Sequence, residues 1–420
     1  MSRRSICCFV ALLLGALWSG AAHGQVAVRA KTLHTMAGQK IDDAVVIIQN
    51  GKIAAVGPAS QTKPPEGMRI IEANVVTPGL VDAHSTVGFS GILNQNHDQD
   101  QLERSSAVQP ELRAIDAYNA QEELIDWIRS FGVTTVHAGH APGELLSGQT
   151  LIAKTNGKTT NVAVIVEAKA VAATIGTAAQ KTGGKSPGTR GKTIAMLRAE
   201  LIKAREYQEK LRRAAAAAEK AEKAEKPEKS DPPARDLRME TLVRVLTGEQ
   251  PLMITAHRAQ DIASALRVAR EFNIKIWLDG AAESYLLVDD IKAAGVPVII
   301  HPTMQRAIGD AENLSFETAS KLVAAGIPLA LQSGYEAYVP KTRVILFEAA
   351  LAAANGLSFD QALRAITIDA AKILGVDGRV GSIEVGKDGD LALYDGDPFE
   401  YTTHCVGTII GGQLVSDAIR

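Results

Sequence analysis

Cysteine is scarce in this chain: there are three, and two of them, Cys7 and Cys8, fall in the first ten residues. If that leading segment is removed, Cys405 stands alone, which excludes an internal disulfide and leaves stability to the core. Neither sign of charge is in excess, with 45 Lys and Arg against 47 Asp and Glu. A balance of that kind shows no basic excess suited to nucleic acid. The apolar run from Ile6 to Trp18 is shorter than the roughly 20 residues a spanning helix needs. Gly157-Lys158-Thr159 lacks the upstream glycine of a phosphate loop, and no serine has the glycine-flanked elbow of an esterase nucleophile. What remains is a chain of 420 residues, 46% hydrophobic, able to bury a large core.

The first 24 residues follow a separate logic. Arg3 and Arg4 precede the apolar run, and small residues follow through "GAAHGQ". This is the order of a secretory signal peptide cleaved near Gly24, and it predicts a periplasmic or secreted protein with no transmembrane anchor after cleavage. "SRRSI" also bears a weak likeness to a twin-arginine signal, so the export route stays open.

"VVIIQNGKIAAV", Val45 to Val56, sets two β-rich runs around Asn50-Gly51, the pair preferred where both central residues of a two-residue hairpin turn need positive φ. Near the C-terminus "DLALYDGDP" and "VGTIIGGQLV" repeat the theme about Gly411-Gly412. The economical arrangement is a small β-sandwich assembled from residues 25–77 and 373–420, with a larger domain inserted over 78–372. In that insert, apolar runs alternate with helical patterns such as "AQDIASALRVAREF", which predicts α/β architecture with a parallel sheet.

Seven of those runs end in a polar residue: "LVDAH" at His84, "VTTVH" at His137, "VAVIVE" at Glu167, "LMITAH" at His257, "IKIWLD" at Asp279, "VPVIIH" at His301 and "IPLALQS" at Ser333. If the strands close into a barrel, these side chains gather at the C-terminal rim, where barrel enzymes carry their chemistry. For any single residue the plainer reading is a polar marker at the end of a buried strand. One segment stands apart. Residues 200–238, rich in Ala, Lys and Glu and then broken by Pro227, Pro232 and Pro233, read as a charged helical arm running into a disordered elbow, either simply solvated or used for docking.

"TPGLVDAHSTVG" at Thr77–Gly88 and "GSIEVGKDGDLALYDGDP" near the C-terminus resemble the amidohydrolase superfamily. "GVTTVHAGHAPGELLSGQTLIAKT", "AHRAQDIASALRVAREF" and "ALRAITIDAAKILGV" are similar to its exported imidazolonepropionase-like branch. The resemblance covers nearly all of the chain after the leader. It implies a (β/α)8 TIM-type barrel that holds one or two divalent metals and activates water for attack on a carbon–nitrogen bond. It also exposes departures. The second member of the first-strand histidine pair is Thr86, and the fourth-strand lysine falls at Ala172, with Lys169 three residues away. The fifth strand reads Thr255-Ala256-His257-Arg258, Asp279 stands where a histidine is expected, and the eighth-strand aspartate is Gly334.

Two readings follow. In one, the site is remodelled around a single divalent ion, zinc by ligand type. His84, His257 and Asp279 are then its ligands, Asp279 and His301 act in catalysis, and His137, Glu167 and Arg258 contact the substrate. In the other, the chain is a pseudo-enzyme with no metal, a barrel that binds a small molecule or joins an active relative or a second copy of itself. The absent eighth-strand acid favours the second, because metal-bound water without a nearby base is a poorer nucleophile.

Overall fold

The computed structural model describes residues 25–93, 95–222, 234–335 and 344–420. The expected leader and the proline-rich end of the arm, residues 223–233, lie outside them. Four strands open the fold: β1 (Val26–Leu33), β2 (Ile41–Gln49), β3 (Lys52–Pro58) and β4 (Ile70–Pro78). Asn50 and Gly51 join β2 to β3 with φ of 52° and 76°, the doubly positive turn that this dipeptide favours.

The inserted region supplies β5 (Leu80–Ser85), β6 (Val133–Ala138), β7 (Leu146–Gln149), β8 (Leu151–Lys154), β9 (Val164–Val166) and β10 (Val171–Thr174). It continues with β11 (Leu252–Ala256), β12 (Ile276–Gly280), β13 (Val298–Ile300) and β14 (Leu329–Leu331). Strands β10 to β14 pair in parallel, as do β5 and β6. Helices Ala259–Phe272, Val288–Ala294 and Thr318–Ala324 make the crossovers between β11, β12, β13 and β14.

The register around the third position differs from an all-parallel (β/α)8 barrel. β7 and β8, separated only by Thr150, form one bent stave antiparallel to both neighbours, β8 against β6 and β7 against β10. β9 also lies antiparallel to β8, so the chain returns along this stave before continuing as β10. Between β14 and β5, a parallel bridge between Ser85 and Gly334 closes the circuit. Asp82 reinforces that seam by accepting from the Ser333 amide at 3.1 Å. Burial pushes its carboxyl up to about 6.

Val81, Ala83, Ile152, Ala172, Met253, Trp277, Ile299 and Ala330 fill the interior below the mouth. Such close filling makes the barrel a packed core rather than a channel. A larger cluster, including Leu124, Leu197, Leu242, Ile262 and Leu322, binds the helices to the outer faces of the strands. The long helix Arg190–Glu222 enters this layer through Leu197, Leu201 and Ala204, while most of its later residues are exposed.

The C-terminal strands β15 (Leu391–Tyr394), β16 (Cys405–Ile410) and β17 (Gln413–Ser416) rejoin the first four. β15 pairs with β4, so both chain ends enter one seven-stranded sheet in the order β17-β16-β15-β4-β1-β2-β3. The expected two-sheet sandwich is therefore one hydrogen-bonded sheet curled on itself. Ile53 of β3 exchanges backbone bonds with Lys387 and Gly386, just ahead of β15, around a core of Val28, Val46, Ile48, Ile53 and Leu393.

Tyr394 and Lys154 are among the residues that fasten this sheet to the barrel. The buried Tyr394 hydroxyl donates to the Phe131 carbonyl at 3.2 Å, and Gly132 is needed there, since a Cβ would lie 2.7 Å from that hydroxyl. Lys154, buried on β8, pairs with Asp390 and stands 3.2 Å from Asp388, which Lys52 and Arg379 also hold. Replacing Lys154→Met removes the cation from the buried Asp390 carboxylate and leaves it the Gly411 amide, 2.9 Å from Oδ1. The expected loss is about 3–5 kcal/mol in urea unfolding, the usual result of removing one partner of a buried pair; a loss below about 1 kcal/mol, the scale of an exposed pair, would show that the pair does not fasten the two units.

Candidate functional site

Side chains alternate along a strand, and parallel pairing sets neighbouring residues side by side. Thr255 on β11 and Asp279 on β12 are register partners. Across the barrel mouth, His84 at the end of β5 reaches the same carboxylate, its Nδ1 lying 2.9 Å from Asp279 Oδ1. Gln332, immediately after β14, donates through Nε2 to that oxygen at 2.9 Å, and the Thr255 hydroxyl donates to Oδ2 at 2.5 Å. His84, Asp279 and Gln332 have no exposed surface.

Burial alone would lower the His84 imidazole, but the charge and hydrogen bond of Asp279 outweigh it, and its pKa is raised. The reverse holds for Asp279: burial pushes the carboxyl up, while His84 and the Thr255 hydroxyl draw it below the usual carboxylate range. The two shifts describe one buried ion pair. Its charges are compensated by each other and by two neutral donors, the condition under which a buried carboxylate is tolerated.

His257 is positioned differently. It follows β11 and packs over Gly280, where a Cβ would come within 2.6 Å of its Cε1. Its Nε2 lies 3.2 Å from the Tyr335 hydroxyl, and its buried Nδ1 has no hydrogen-bond partner. Burial lowers its pKa against the pull of Asp279, so the ring is neutral at pH 7. His257, Thr255 and Tyr335 line a cavity of about 170 Å³ at the strand ends. Thr174, Ile175, Ile308 and Asp310 contribute further wall.

The other expected site residues are engaged elsewhere. His137 is fully buried, its Nδ1 donating to the Ala83 carbonyl at 2.7 Å and its Nε2 accepting from the Thr150 hydroxyl at 2.7 Å. Both nitrogens are used, so it is a structural histidine and not a substrate contact. Arg258 is committed to Glu283 at 2.9 Å and Glu312 at 2.5 Å, a clamp between loops at the mouth. Glu167 does not end a barrel strand. The chain carries on into β10, and Glu167 remains exposed and paired with Arg113 at 3.1 Å, which leaves Thr174 as the residue that reaches the mouth. His301 is buried, with Nδ1 donating to the Pro302 carbonyl at 3.0 Å. Ser333 serves the seam with Asp82.

The divalent metal implied by the resemblance needs at least three converging protein ligands. Among the described residues no group of three or more His, Cys, Asp or Glu is placed to hold one. Buried imidazole nitrogens without a hydrogen-bond partner include His84 Nε2, His257 Nδ1 and, in the loop after β6, His140 Nε2, while Asp279 already receives three donors. Ala172 packs inside the barrel, and Lys169 lies ahead of β10 at the end away from the mouth, 5.8 Å from the Trp277 ring centroid. Neither can bridge metals at the rim. The residues present do not fit the family's metal centre.

Gln332, Tyr335 and Thr150 were not singled out by the sequence, and Thr255 was read only as part of the altered fifth-strand run. A two-residue alternation from Ala330 would have placed Gln332 inward, but Thr150 sits between two short strands and carries no such signal.

His137 gives a pH test. Burial drives its pKa down to about 3 from an ordinary value of 6.5. The unfolded chain therefore binds this proton first as the solution is acidified. The stability it supports is complete above pH 6.5 and is lost progressively as the pH falls toward 3. In urea titrations between pH 7.5 and 5, His137→Gln should weaken the acid dependence by up to about 1.4 kcal/mol per pH unit. Parallel profiles for the two proteins would contradict a neutral, buried His137.

Comparison with known proteins agrees with the architecture. An imidazolonepropionase from Thermoplasma volcanium is 23% identical over 399 residues, covering 90% of this chain and 92% of that one. The crystal structure of an amidohydrolase from Thermotoga maritima superposes with a TM-score of 0.84 at 26% identity, over 94% of this chain and all of that one. A zinc-bound adenosine deaminase from Xanthomonas campestris, 16% identical with a TM-score of 0.53 over 93% of this chain and 92% of its own, shares the fold. The family model for the amidohydrolase family matches residues 72–416, from β4 through the barrel to β17, and the chain belongs to that family.

Proposed function

We propose that this protein is a hydrolase of a carbon–nitrogen bond, other than a peptide bond, in a small compact molecule held in the cavity at the strand ends. The observation that carries the reading is His257: a neutral imidazole on the cavity wall with one buried nitrogen unpartnered. Water adds to the carbon of the substrate's carbon–nitrogen bond, and His257 accepts the proton that the water gives up. The tetrahedral intermediate then expels the nitrogen, which receives the same proton, so that the carbon–oxygen bond formed replaces the carbon–nitrogen bond broken. The small volume and the mixed wall of Thr174, Thr255, Ile175 and Ile308 suit a cyclic amide, a class consistent with the imidazolonepropionase likeness. The arginine-led leader supports action after export.

One observation favours a second reading, a barrel that binds without turnover. The carboxylate at its centre already accepts three hydrogen bonds and is not free to act on water. Assay of the purified chain against compact cyclic and acyclic amides separates the two. The hydrolase reading predicts ring opening of a cyclic amide and a drop in kcat of about 100-fold or more in His257→Gln, as expected for loss of a general base. Saturable binding without turnover across the panel would establish the second reading instead.

A further inference from the structure

Among the described residues the centre of the barrel mouth offers no ligand set for a metal, and it is also not an open polar hole. Asp279 is wholly buried and so needs compensation that water does not provide. It obtains it from three elements: His84 from β5, Thr255 from β11 and Gln332 from the end of β14. These arrive from both sides of the β14–β5 seam. There Asp82 accepts from the Ser333 and His84 amides, and Gln332 also donates to the Ile299 carbonyl at 3.2 Å. The same carboxylate therefore ties the first strand, the middle strands and the last strand together at their C-terminal ends.

A metal ion performs that service by drawing ligands from several strands to one point. Here hydrogen bonds do it. Thr255 and the Gln332 amide act as donors toward Asp279, so they point hydrogens, not lone pairs, at the place where a cation would have to approach. Directly beneath, Met253, Trp277 and Ala172 occupy the interior with apolar atoms.

We propose that the His84–Asp279 pair, clamped by Thr255 and Gln332, takes the structural place of a metal ion and that the folded protein is complete without metal. The proposal does not rest on the hydrolase reading, because it is tested by metal content and melting.

The full chain is incubated with excess zinc chloride, desalted, and analysed for zinc by mass spectrometry. Melting is recorded with zinc and with EDTA. The expected result is zinc far below one ion per chain and the same Tm in both solutions. Thr255→Val and Gln332→Leu, which remove donors without adding a ligand, should each lower Tm, and added zinc should not restore it. Zinc retained near one ion per chain, or a Tm that falls in EDTA, overturns the proposal. So does a wild-type Tm in both variants, since the clamp would then hold nothing. If a variant does not fold, the wild-type zinc and EDTA measurements still decide the question.

Discussion

A carboxylate at the centre of a barrel mouth, shut off from water, constrains everything around it. Asp279 has no exposed surface, and an uncompensated charge there would cost several kcal/mol or be lost by protonation. The fold meets this with one imidazole, one hydroxyl and one amide, each from a different part of the chain. Meeting it also fixes how β5, β11 and β14 approach one another. The cavity and His257 sit beside this centre, so the reactive part of the mouth is built against a rigid wall.

The remainder of the architecture keeps that mouth in register. The curled sheet from the two chain ends is joined to the barrel by Tyr394 and by Lys154 with its two aspartates, on the stave that runs against its neighbours. Thr150 lies in the middle of that stave and holds His137. Reversing a single stave thus supplies both a latch for the terminal sheet and a lock for a buried histidine, while the parallel strands keep their C-terminal ends together.

Much of the fold was legible where the local signal and the tertiary outcome share a cause. Asn50-Gly51 reads as a hairpin because positive φ is a local property, and the structure has it. Runs such as "IKIWLD" read as barrel strands because a strand buried on both faces must be apolar until it emerges. "VAVIVE" misled for the same reason: a run ending in an acid looks like a strand reaching the rim, although the chain goes on to β10 and Glu167 faces solvent. "LSGQTLIAK" gives no hint of its reversed direction, which is set by pairing with β6 and β10. The site was legible as a set of residue types but not as a set of contacts. His84 and Asp279 were named as ligands of a shared ion and prove to bond each other, while the clamp on Arg258 depends on Glu283 and Glu312, 25 and 54 residues away in sequence.

The build of the mouth turns on what surrounds the Asp279 carboxylate, and anomalous X-ray diffraction at the zinc absorption edge, from crystals grown with excess zinc, tests it at that atom. The prediction is no anomalous peak beside Asp279, with His84 Nδ1, Thr255 Oγ1 and Gln332 Nε2 all within hydrogen-bonding distance of its oxygens. A strong peak bonded to Asp279 Oδ2 or His84 Nε2 would contradict it.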